Sequence, residues 1–120
     1  MTIAVHFVQL TAIRQLWRAG IIADYRLVWP SALFALEYFA WDILVGVTLL
    51  AASFAIAAPH TAPARRALLI GGVLCLAGVT GPLSGRMLLQ NVAVLGYAVV
   101  FPIAGALMAR MFRATLPDPA

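Results

Sequence analysis

Apolar runs broken by arginine, glycine and proline make up almost the whole of this chain. The first thirteen residues are interrupted by His6, Gln9 and Thr11, and they are too short to cross a bilayer before Arg14. On a helical wheel Leu10, Ile13, Leu16 and Trp17 share one face, while Thr11, Arg14, Gln15 and Arg18 share the other. Residues 1–18 therefore predict an amphipathic interfacial helix or a partial span. Residues 19–30 form a connector with breakers at Gly20 and Pro30, and its Tyr25 and Trp29 suit an aromatic belt at the membrane surface. Three further apolar runs predict transmembrane helices over 31–57, 67–84 and 87–111. Residues 59–66 read as the loop between the first two, and 112–120 as a short tail. Pro102 is expected to kink the third span by removing one backbone hydrogen bond. The expected architecture is a single membrane domain: an all-α bundle of three transmembrane helices with an N-terminal half-span or interfacial helix.

Composition strengthens this picture. With 64% hydrophobic and 10% charged residues among 120, the chain lies outside the range of soluble domains and has no room for a large soluble catalytic domain. Its net charge of +4 comes from eight arginines and no lysine. The arginines stand singly or in pairs at the ends of apolar runs, which suits lipid phosphates and speaks against nucleic acid. Arg14, Arg18, Arg26 and Arg86 fall on the side where the first span begins, and Arg65, Arg66, Arg110 and Arg113 on the other. That tie leaves orientation undecided. Cys75 is the sole cysteine, so an internal disulfide is impossible.

Two acids inside the first span are the candidate chemistry. Carboxylates at membrane depth usually mark an ion pair, a proton path or a ligand site. The twelve Leu, Ile, Val and Phe residues between 33 and 56 contribute roughly −4 to −7 kcal/mol to insertion, and two central acids oppose it by about 5 to 7. The terms nearly cancel, so Glu37 and Asp42 should face protein, water or a proton. Glu37 lies about 9 Å inside the span, at a depth matched by Gln90 and Asn91, with Arg86 just outside. A structural cluster in which Arg86 reaches Glu37 is one reading; a proton or substrate site and contact with a lipid headgroup are the others. Asp42 lies about 16 Å in, where no basic residue reaches. A neutral Asp42 bonded to Tyr97, Cys75 or a carbonyl competes with a carboxylate lining a polar cavity. At 3.6 residues per turn the acids stand about 140° apart and do not form an acid/base pair. Tyr38, Phe39 and Trp41 flank them, either as helix packing or as a box for an organic cation.

Other chemistry lacks support in the residues. His6 and His60 have no second ligand at metal spacing, and Ser31, Ser53 and Ser84 lack a base partner, so no metal, cofactor or catalytic residue is expected. Ala77, Gly81 and Gly85 stand four apart and predict a small-residue ridge for helix packing.

The pattern at 6–11 (His-Phe-Val-Gln-Leu-Thr), the run 31–42 ending in Trp41-Asp42, and 96–103 (Gly-Tyr-Ala-Val-Val-Phe-Pro-Ile) together carry a resemblance. They resemble a family of bacterial polytopic membrane proteins of uncharacterised function. The resemblance implies a location in the bacterial inner membrane and helices ahead of residue 6, so that this chain would begin inside a helix the family completes. It implies no activity. The resulting expectation is a small non-catalytic membrane protein, in contact with lipid and with copies of itself or other membrane subunits. The alternative is a small oligomeric transporter coupled to protons or cations through an intramembrane carboxylate.

Overall fold

A computed structural model describes residues 6–22, 29–56 and 61–115. Among them the chain is entirely helical, with four helices, three of them long and apolar enough to cross a membrane. Helix α1 covers residues 6–18, α2 residues 32–55, α3 Ala62–Ser84 and α4 residues 87–115. The expectations placed on Tyr25, Arg26, His60 and the last five residues lie outside the described residues.

Local sequence explains the helix ends. Ser31 caps α2 in an extended conformation, its hydroxyl accepting from the Phe34 N–H at 3.2 Å. Helix α3 begins at Ala62, five residues before the expected boundary, so Arg65 and Arg66 lie in its first two turns and not in a loop. Pro63 at the helix start needs no amide partner there, and arginine is a good helix former, so neither residue stops the helix. At its other end Gly85 takes a left-handed conformation (φ 70°), which reverses the chain into α4 within two residues. A 3₁₀ turn, Met87–Gln90, then opens α4.

Two of the membrane helices contain wide turns with i→i+5 hydrogen bonding, Phe39–Leu44 in α2 and Leu95–Val100 in α4. The second ends just ahead of Pro102, and helical structure continues through the proline to Thr115. A wide turn absorbs the backbone register that the proline disturbs.

Helix α3 is the centre of the bundle, packed against α2 on one side and α4 on the other. Apart from Leu68, its inward residues are small: Ala64, Gly71, Gly72, Cys75, Gly78 and Gly81. A Cβ on Gly72 would lie 2.8 Å from the Gly46 carbonyl oxygen of α2, and one on Gly78 would overlap the Cβ of Ala93 in α4. A Cβ on Gly96 of α4 would meet Cys75 Sγ at 2.8 Å and the Gly71 carbonyl oxygen at 2.9 Å. The backbones therefore nearly touch, which is how helices associate where lipid removes the hydrophobic advantage of packing. Of the expected ridge only Gly81 is used, against Gln90. Ala77 is exposed, and Gly85 has open space around it. A strict four-residue step drifts round a 3.6-residue helix, whereas the buried stripe steps by three and four.

Helix α1 stands apart. None of residues 9–18 is buried, and Leu10 and Trp17 of the expected apolar face are exposed. The molecule measures 63 × 37 × 19 Å, and its least dimension is about two helix diameters.

Gly78→Leu should destabilise the detergent-solubilised protein by at least about 1–3 kcal/mol, through overpacking against Ala93. Ala77→Leu, one residue away on the exposed face, should stay within about 0.5 kcal/mol of wild type. Thermal unfolding followed by circular dichroism checks the pair, and equal losses would contradict this packing.

Candidate functional site

The polar side chains gather where the first half of α2 meets the first turns of α4. Glu37 is buried, with its side chain 12% exposed. Its Oε2 accepts from the Trp41 indole N–H at 3.0 Å, one turn along the same helix. Its Oε1 lies 3.0 Å from Nδ1 of His6 on α1. A proton on that nitrogen makes the contact a hydrogen bond; without one, Oε1 has no donor. Arg86, the expected partner, is exposed at the α3–α4 turn and does not pair with Glu37.

Asp42 is fully buried. Tyr38, Cys75, Gln90 and Tyr97 surround it electrostatically, so α2, α3 and α4 each contribute a neighbour. Gln90 interacts with both Asp42 and Tyr97, yet neither carboxyl oxygen of Asp42 has a hydrogen-bond partner in good geometry among the described residues. A buried polar group left this way is costly and rare in native structures.

The wide turn Phe39–Leu44 helps explain why both acids point inward. It gives each residue less rotation than a 3.6-residue turn, so the offset of about 140° expected for a regular helix does not apply. The acids still meet different surroundings: His6 and Trp41 for Glu37, the α3–α4 side for Asp42. The wide turn Leu95–Val100 carries Tyr97, whose ring packs on Trp41 at 5.1 Å. The two irregular turns thus face each other beside the acids, and such turns often occur at functional sites.

Two adjoining cavities lead to this cluster. The inner one, about 230 Å³, is lined by His6, Phe34, Glu37, Tyr38, Trp41, Gln90 and Tyr97. The outer one, about 690 Å³, shares Phe34, Tyr38 and Gln90 with it and adds Trp29, Arg86 and Asn91. Tyr38 stacks obliquely on Phe34 at 4.6 Å and on Trp29 at 6.0 Å, so an aromatic wall runs inward from the helix ends. Phe39 is exposed and does not join it.

No family, curated protein or solved structure matches the chain. The site has to be read from its own geometry.

Of the candidate residues, Glu37, Tyr38 and Trp41 come together round the inner cavity, with Asp42 behind it. Arg86 and Asn91 line the outer cavity only. Tyr97 and Cys75, expected beside Asp42 from the residues alone, do stand near it, whereas His6 as the partner of Glu37 and Gln90 as a polar group facing Asp42 were not expected. His6 was the available signal: an imidazole on a largely apolar helix end favours a polar partner. No group of three or more metal-ligating side chains exists among the described residues.

Asp42→Asn removes no hydrogen bond that the structure shows, so it should leave the melting temperature equal to wild type or higher. His6→Ala removes the 3.0 Å contact between His6 on α1 and Glu37 on α2. It should speed amide exchange in α1 by about tenfold while leaving α3 unchanged. Hydrogen exchange by mass spectrometry reads both.

Proposed function

We propose that this is a non-catalytic integral protein of the bacterial inner membrane that works as part of a larger membrane assembly, with copies of itself or with other subunits. One observation carries this reading: α1 has no buried residue over 9–18 and its described ion pair to the bundle is His6–Glu37. A helix in that position gains stability when further protein covers it. Other features point the same way. Only 17% of an apolar 18-residue window within the span Met87–Ala114 is buried within the chain, so most of α4 is left to lipid or to further protein. The three apolar spans support a membrane location.

Light scattering of the detergent-solubilised protein, corrected for bound detergent, tests this reading. A discrete dimer or higher oligomer, or co-purification with a fixed partner, is the expected result. A stable monomer with no partner when extracted from its own membrane would defeat it.

A second reading draws on a different observation, the fully buried Asp42 within the wide turn Phe39–Leu44, whose carboxyl oxygens have no hydrogen-bond partner among the described residues. In that reading the oligomer transports a substrate, and Asp42 carries the coupling proton or cation. Asp42→Asn should then abolish coupled flux in proteoliposomes while assembly is unchanged. Flux equal to wild type in the variant would exclude Asp42 as the coupling group.

A further inference from the structure

The outer and inner cavities carry opposite charges in a fixed order. Arg86 stands at the outer one, where the α3–α4 turn meets the membrane surface, and no carboxylate among the described residues pairs with it. Glu37 stands at the inner one, and between them lies the aromatic wall of Trp29, Phe34 and Tyr38. Glu37 is only about 6 Å along α2 from the first residue of the span at Leu33. The span of 23 residues exceeds a hydrocarbon core of roughly 30 Å by about 2 Å at each end, so the Glu37 backbone lies only about 4 Å inside the hydrocarbon, within reach of the lipid glycerol and headgroup boundary.

We infer that the cleft holds the headgroup of a zwitterionic phospholipid drawn sideways out of the bilayer. Arg86 takes the phosphate, which a guanidinium binds through paired N–H donors. The ammonium lies against Tyr38 and Trp41, where ring faces attract cations, and donates to Glu37 Oε1, the oxygen left without a donor when the adjacent His6 Nδ1, 3.0 Å away, carries no proton. The acyl chains remain outside along the exposed apolar surface of Leu88 and Leu89 at the start of α4. An anionic headgroup would satisfy Arg86 but leave Glu37 facing a polar group without charge, or a second negative one. A free organic cation would satisfy Glu37 but leave the arginine idle. The outer cavity lies within the size range of ligand sites, and the inner one adds room for the amine. Binding of this kind needs one copy of the chain and does not depend on the assembly proposed above.

Native mass spectrometry of the purified full chain, offered equal amounts of phosphatidylethanolamine and phosphatidylglycerol, tests the proposal, since the two lipids share the phosphate and differ in the ammonium. The expected result is retention of phosphatidylethanolamine by roughly fivefold or more over phosphatidylglycerol, the ratio one partly shielded ion pair can supply. Glu37→Gln should remove that preference, and Arg86→Gln should lower retention of both lipids. Arg86 is exposed, so its variant should fold even if the Glu37 variant does not. Equal retention of the two lipids, or retention that Arg86→Gln leaves unchanged, would overturn the proposal. So would thermal stabilisation by ethanolamine alone equal to that given by the lipid, which would mark a site for small cations instead.

Discussion

Lipid tails solvate apolar side chains as well as a neighbouring helix does, so hydrophobic burial alone cannot hold three such helices together. Close backbone approach along α3 can, because it trades side-chain volume for dispersion contact over a long seam. Gly72 against the Gly46 carbonyl, Gly78 against Ala93 and Gly96 against Cys75 are the places where that seam is tightest. Cys75 sits between the two neighbours, within reach of a Cβ at Gly46 on α2 and at Gly96 on α4. A buried thiol serves here as a small hydrophobe that lets both approach at one level.

The placement of the acids follows from this seam. Gly46 lies four residues after Asp42, so the face of α2 that meets α3 also carries the carboxyl inward. A helix that tight has little freedom to turn its acid away. The wide turn Phe39–Leu44 then adjusts the phase of the helix above the contact, directing Glu37 to the inner cavity instead of to lipid. Backbone irregularity is the means by which one helix meets two demands: small-residue packing in its lower half and polar clustering in its upper half.

The class of fold and the existence of the three spans were legible in the residues, because long apolar runs bounded by arginine and proline admit few alternatives. The identity of Glu37 and Asp42 as the unusual residues was legible for the same reason. Of their neighbours, Tyr97 and Cys75 beside Asp42 were legible too, whereas His6 beside Glu37 and Gln90 beside Asp42 were not. Depth matching brought Arg86, Gln90 and Asn91 to the level of Glu37, but depth says nothing about rotation, and rotation decides that Gln90 is buried while Asn91 and Arg86 are exposed. Regular helical phase failed at the wide turns, which no local pattern announces. The glycine ridge failed for a related reason: Ala77 and Gly85 have the right size, but packing selects residues by their position on the helix face.

The charges of the described residues are distributed unevenly along the bundle, and this bears on why the acids can be kept. Arg65, Arg66, Arg110 and Arg113 stand at one end with no acidic residue beside them, while both membrane acids lie toward the other end with the exposed Arg86. A carboxylate at the membrane centre needs a neutralising partner, whereas one at the headgroup boundary can draw on lipid ammonium, water and helix ends. Glu37 is placed for the second solution and has an open cavity through which to use it. Asp42, a turn and more deeper and closed off by three helices, has no opening and, among the described residues, no hydrogen-bond donor in good geometry. One helix therefore carries two carboxyls under different physical constraints, and a single role for both would waste the difference that the fold builds between them.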